Sequence, residues 1–344
     1  MQTNPPVLGP LGLGELLDRA FRLVRMNFGQ LILIAAIFMV PYAIVSGILT
    51  GSAMTGYMDF IENMVNSPAI DPSNSPEEIF TTILGPLSNF FGLFLLIGLI
   101  GLVVQSAATL ALTHHHLKTL QHEGSSVSVS IIAGGRRLTA YIGMMIVEAL
   151  VMLGLALLVL LVFGCAIGAL AIGIGGTSGL FDGAAAIDNN VAGFAGFIIL
   201  FVCLYLFALL IMVAPMIYFW CRWLVAAPSL LNEELGPIEA LQRSWRLSKG
   251  QVWRTVGYGI LLYILGMIIV SAPAYVLQQI ATIFLSMENI GAATGIASGV
   301  SALFGILWQP FFVAALVLFY YDLRIRKEGY DLALRVQQME VDAQ

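Results

Sequence analysis

Charge is what this sequence lacks. Of its 344 residues, 10% are Asp, Glu, Lys or Arg, while 59% are hydrophobic and the mean hydropathy is +0.92. A soluble domain carries about 25% charged residues to cover its surface, so a water-soluble globular fold is excluded and an integral membrane protein is indicated. Cysteine is scarce too. Cys165, Cys203 and Cys221 stand in or at the ends of apolar runs, without CxxC spacing, which argues against a disulfide framework or thiolate metal site and for apolar packing residues. No phosphate-cradling loop, nucleophile triad or zinc motif is present, so the chain is read as non-enzymatic, with no cofactor and no metal expected. The formal charge of -5 says little, because the charges are sorted along the chain. A nucleic-acid partner is not expected.

Positive charge is missing from three of the five connecting segments. Apolar runs at roughly 29–52, 87–113, 141–165, 192–221, 254–282 and 291–321 are each long enough for a hydrocarbon core of about 30 Å. The first is preceded by a charged helix and shows no cleavage site, so it reads as a retained span, not a signal peptide. In this six-span arrangement all fifteen Lys and Arg residues fall on one side. The opposite segments, 53–85, 166–191 and the turn at Glu288–Asn289, hold none and are acidic. The positive-inside rule puts both termini in the cytoplasm, and a bacterial cytoplasmic membrane is expected. Pro41, Pro215, Pro273 and Pro310 lie inside spans and predict kinks.

What the chain does have is a basic amphipathic stretch at 12–28, GLGELLDRAFRLVRMNF. Leu13, Leu16, Leu17, Ala20, Phe21, Val24 and Phe28 form an apolar stripe. Glu15/Arg19 and Asp18/Arg22 have ion-pair spacing on the opposite face. Such a helix lies in the membrane interface. It returns 224 positions later: Gly12/Gly236, Glu15/Glu239, Leu17/Leu241, Arg19/Arg243, Arg22/Arg246 and Leu23/Leu247 are identical. A weaker copy begins near 127. The reading is one membrane domain of three parallel units, about 12–113, 127–221 and 236–321, each an interfacial helix plus a helical hairpin, with a cytoplasmic tail at 322–344. The fold class is therefore all-α, six transmembrane helices as three hairpins.

Three stretches also carry a resemblance: LGELLDRAFRLVRMNF, APSLLNEELGPIEALQRSWRLSKGQVWR (227–254) and YYDLRIRKEGYDL (320–332). Together they resemble the glycerophosphoryl diester phosphodiesterase membrane domain family of bacterial multi-pass proteins, over nearly the whole chain. In the proteins that name the family, this region precedes a soluble phosphodiesterase barrel. Here only a short tail follows the last span, so the resemblance implies the membrane architecture and no catalytic residues.

Two groups of candidate site residues follow. Arg19, Arg22, Arg25, Arg243, Arg246 and Lys249 are placed to bind anionic lipid headgroups or a protein partner from the cytoplasmic side. Glu148, with Gln105 and Gln309, is a candidate intramembrane polar site, because an ionisable group within a span is costly unless paired or wet. Two readings stay open for Glu148: a proton or solute pathway, or a structural carboxylate held by Arg137 or a neighbouring helix. His114, His115, His116 and His122 point in different directions on a helix and read as interfacial residues. Tyr320, Tyr321, Trp220, Trp223, Trp245 and Trp253 read as an aromatic belt. The expected function is a membrane scaffold or accessory subunit that binds lipid or a partner. The alternative is a transporter or lipid-translocating protein with a central cavity involving Glu148.

Overall fold

The protein is represented by a computed structural model that describes residues 11–66, 76–121, 123–179, 191–284 and 290–329. Among these residues the backbone is helical almost throughout, with no strand. Six of the helices are long and apolar enough to cross a membrane, in agreement with the six apolar runs. A short helix α1 (Leu13–Met26) leads into α2 (Phe28–Asn66) and α3 (Pro76–Leu120). The same order follows with α4 (Val127–Arg136), α5 (Leu138–Gly179) and α6 (Val191–Arg222). After a small helix α7 (Ala226–Asn232) come α8 (Pro237–Ser248), α9 (Val252–Gly266), α10 (Ala272–Phe284) and α11 (Ile290–Glu328). Each short helix is separated from its long one by a break, at Asn27, at Arg137 and at Lys249 to Gln251.

The helices outrun the apolar runs. The segment 53–85 is helical to Asn66 and again from Pro76, α5 continues to Gly179, and α11 passes residue 322 to end at Glu328, inside the expected tail. Hydropathy marks contact with hydrocarbon, whereas a helix persists wherever its backbone hydrogen bonds are met. Between the fourth and fifth apolar runs, the short helix over Ala226–Asn232 (α7) buries Ala226 through Leu230. Segments 67–75 and 180–190, Glu288–Asn289, His122 and the tail from 330 lie outside the described residues.

Four of the spans carry their prolines without loss of α-helix: Pro41 in α2, Pro86 in α3, Pro215 in α6 and Pro310 in α11. Pro273 differs. It has no N–H to offer the Ile269 carbonyl, and the chain widens into a π turn over Met267–Ser271 between α9 and α10.

The centre is the C-terminal half of α11, where Val313 through Leu323 are buried on every side. A helix apolar all round is stable only when enclosed, and this one is the post around which the others stand. At its opposite, N-terminal end α11 is seated by a close approach of α2: Gly47 and Gly51 face Gly291, Gly295 and Gly299, and a Cβ on Gly295 would stand 2.5 Å from the Gly47 carbonyl oxygen. The stripe of α1 is partly used for this packing. Leu16, Ala20, Leu23 and Val24 join the core with Leu31, Leu247 and Tyr258, while Phe21 and Phe28 stay exposed. Tyr320 and Tyr321 are not part of an interfacial belt. Both are buried beside α7, because the helix they sit on is the enclosed one.

Candidate functional site

The charged ends of the three sets converge on one end of the bundle, and hydrogen bonds sort the cations into two groups. The first group is internal. The Asp322 side chain is 0% exposed and accepts from the Leu11 backbone N–H at 2.9 Å, from Arg254 Nη2 at 2.8 Å and from Arg326 Nε at 3.0 Å. Arg254 and Arg326 each also donate to the Leu11 carbonyl, at 2.6 and 2.9 Å. The start of α1, the start of α9 and the end of α11 are thereby tied in one knot. Beside it, Arg243 Nε donates to Glu233 at 2.7 Å, and Nη1 and Nη2 donate to Glu328 at 2.5 and 3.0 Å. Partial burial alone lowers the Arg243 pKa, but the hydrogen bonds to Glu328 and Glu233 raise it above the usual arginine value. Glu233 also accepts from the Tyr320 hydroxyl at 2.7 Å, and Lys327 donates to the Arg246 and Lys249 carbonyls at the end of α8.

The second group has no carboxylate partner among the described residues: Arg19 and Arg25 on α1, Arg136 on α4, and Arg246 and Lys249 at the end of α8. Of the six expected headgroup-binding cations, Arg22 is paired with Asp18 at 2.6 Å on the exposed face of α1 and Arg243 is taken up twice within the protein. Arg19, Arg25, Arg246 and Lys249 remain. The Glu15–Arg19 pairing expected from spacing is not formed. Glu15 folds back to accept from the Gly12 N–H at 2.8 Å, and Glu239 does the same for the Gly236 N–H at 3.0 Å, each closing the first turn of its helix.

Arg222 escaped attention in the sequence. It ends α6, is buried, and has its guanidinium carbon 4.0 Å from the centre of the Trp245 ring, while Nε and Nη1 have no hydrogen-bond partner among the described residues. Its backbone carbonyl accepts from Ser244 at 2.8 Å, fastening α8 to α6. Two of the histidines, His115 and His116, are structural ties. His116 Nε2 lies 3.1 Å from the Pro310 carbonyl, which can only accept, so the proton sits on Nε2. His115 Nδ1 lies 3.3 Å from the Ser130 hydroxyl on α4.

The intramembrane polar residues divide. Gln105 and Gln309 line one cavity of about 380 Å³ between α2, α3, the π turn and α11, and Glu148 does not line it. Gln309 Nε2 donates to the Thr109 hydroxyl at 3.3 Å, and Thr109 neighbours Tyr141, which lies in the electrostatic field of Glu148. Glu148 is thus two side chains away from the cavity. Arg137 does not hold it but pairs with Glu234, and no ion pair to Glu148 is formed among the described residues. No protein-family profile matches the chain, and no curated protein or solved structure is significantly similar to it.

Proposed function

We propose that the chain is a non-enzymatic membrane scaffold or accessory subunit, in the bacterial cytoplasmic membrane with both termini inside, that gathers anionic lipid headgroups and, with them, a protein partner around its cationic end. The observation that carries this reading is the division of the cations. Arg243, Arg254 and Arg326, which tie helices together, are matched to carboxylates, and Arg222 and Lys327 are engaged by a ring and by backbone carbonyls, whereas Arg19, Arg25, Arg246 and Lys249 have no carboxylate partner among the described residues. Each such residue near an anionic surface is worth about 1 kcal/mol. Membership of the membrane-domain family belongs to the same proposal, and so does descent from a threefold internal repeat. Two of the stretches that carry the resemblance supply both halves of the internal network, Glu233, Arg243 and Arg254 from 227–254, and Tyr320, Asp322 and Arg326 from 320–332. The like-placed caps Glu15 and Glu239 support the repeat.

The test is lipid selectivity. The full chain is placed in nanodiscs of mixed phosphatidylglycerol and phosphatidylcholine, and the lipids that stay bound are weighed by native mass spectrometry. Enrichment of phosphatidylglycerol is expected, together with its loss when Arg19, Arg25, Arg246 and Lys249 are all changed to Gln. Equal retention of both lipids sinks the reading. A transport function is supported by the cavity that Gln105 and Gln309 share, but it requires the enclosed half of α11 to move, which makes it the second choice.

A further inference from the structure

The cavity between α2, α3, the π turn and α11 holds more polar groups than the protein satisfies. Its polar wall is Tyr42, Ser46, Gln105, Ser298, Ser301 and Gln309. Two of these are engaged: Ser46 donates to the Ala43 carbonyl at 3.3 Å, and Ser298 lies 3.3 Å from the Thr50 hydroxyl. The others are not. Gln309 is 3% exposed, and with its Nε2 spent on Thr109 its Oε1 has no partner among the described residues. The Tyr42 hydroxyl, the Gln105 amide and the Ser301 hydroxyl have no hydrogen-bond partner among the described residues.

Of these, Gln309 Oε1 is fully buried and costs free energy that a packed apolar side chain would not, while Tyr42 and Ser301 are half-buried and Gln105 is exposed at the mouth of the cavity. An amide end left open on one wall and two hydroxyls and a second amide on the others form a set of donors and acceptors facing a common space. Among the described residues that line it there is no Lys, Arg, His, Asp or Glu. An ion would enter it without a counter-charge, so the site selects against charge. The indole of Trp308 and the side chain of Met39 complete the wall with apolar surface suited to C–H faces. A volume of about 380 Å³ falls at the small end of ligand sites, roughly 300–1,000 Å³. The π turn forced by Pro273 brings Val270 to the same wall, a local irregularity of the kind found at functional sites.

We propose that this cavity is a binding site for a small neutral polyhydroxylated group, a free polyol or sugar or the uncharged glycosyl head of a lipid. It stands apart from the headgroup-binding end and does not depend on that reading. Gln309 and Gln105 supply amide contacts to ligand hydroxyls, Tyr42 and Ser301 complete them, and Trp308 adds apolar ring surface to the wall.

The experiment uses the full chain in phosphatidylcholine nanodiscs. Calorimetric titration with glycerol, myo-inositol and glucose tests the free source, and nanodiscs containing monoglucosyl diacylglycerol, read by native mass spectrometry, test the lipid source. Saturable binding of at least one neutral probe is expected, with glucose 6-phosphate failing to bind. Gln309→Leu and Ser301→Val are each expected to weaken binding at least tenfold while chromatographic behaviour and melting stay unchanged. Gln105→Leu, at an exposed position, serves if either variant misfolds. Binding of glucose only assigns a free ligand, and binding of glycolipid only assigns a headgroup. The proposal is overturned if no neutral probe binds a folded protein, if glucose 6-phosphate binds as well as glucose, or if folded variants bind unchanged.

Discussion

Asp322 is the residue on which the cationic end depends. Its carboxylate is wholly enclosed and meets a backbone N–H and two guanidinium groups. A buried carboxylate of this kind is retained only because its partners repay its desolvation, and removing one partner leaves an uncompensated charge at about 3–5 kcal/mol. Asp322→Asn is therefore expected to lower the melting temperature of the purified protein sharply. Arg254→Gln alone is expected to do the same, and the double variant to cost less than the sum, because the second change removes the charge stranded by the first. Strict additivity in thermal unfolding contradicts a coupled knot. The sequence announced these residues as basic and acidic but not as partners, since Leu11, Arg254 and Asp322 are brought together only by the packing of three helices. Glu15 departs from its spacing for a local reason: the distance to Arg19 along the helix suits an ion pair, but the free N–H of Gly12 takes its carboxylate.

Elements were more legible than residues. Apolar runs located all six spans, and the amphipathic stretches at 12–28 and 236–252 appear as α1 and α8. Helix ends beyond the hydrocarbon, and the buried seven-residue α7, left no periodic signal to read. The third short helix, α4, shows how an element with little amphipathic character is still held. A Cβ on Gly134 would stand 2.8 Å from the Ala111 backbone nitrogen of α3, whereas one on Gly135 would meet nothing within 4 Å. Alanine at 135 gains helix propensity, worth up to about 1 kcal/mol, without a clash. Alanine at 134 has to push α4 off backbone atoms that cannot yield. Gly135→Ala is expected to leave melting unchanged or slightly raised, and Gly134→Ala to lower it and to loosen the His115–Ser130 contact between the same two helices. Equal effects of the two substitutions rule out close α3–α4 packing.

At the scale of the molecule, cohesion is concentrated along one helix. Half of the hydrophobic stretch of α11 is buried, against 6% for that of α5. Phe319 on α11 is 0% exposed and stacks on Tyr258 with ring centres 4.5 Å apart, whereas Leu157 and Leu161 on α5 are 56% and 67% exposed. In a bilayer these two environments answer truncation differently. Lipid chains are as apolar as leucine and fill the space left by an outward side chain, so no cavity remains. Inside the bundle nothing flows in, and the deleted ring leaves both lost contacts and a void. Phe319→Ala is thus expected to cost about 3–5 kcal/mol, and Leu157→Ala and Leu161→Ala to stay within about 0.5 kcal/mol, measured by reversible unfolding in lipid bicelles. The asymmetry follows from the route of the chain: its last span is the one laid against the first, closed by the glycine seam between α2 and α11, and the middle hairpin is left on the outside. A cost at Leu157 or Leu161 comparable to that at Phe319 requires the middle hairpin to be enclosed and overturns the view of α11 as the central post.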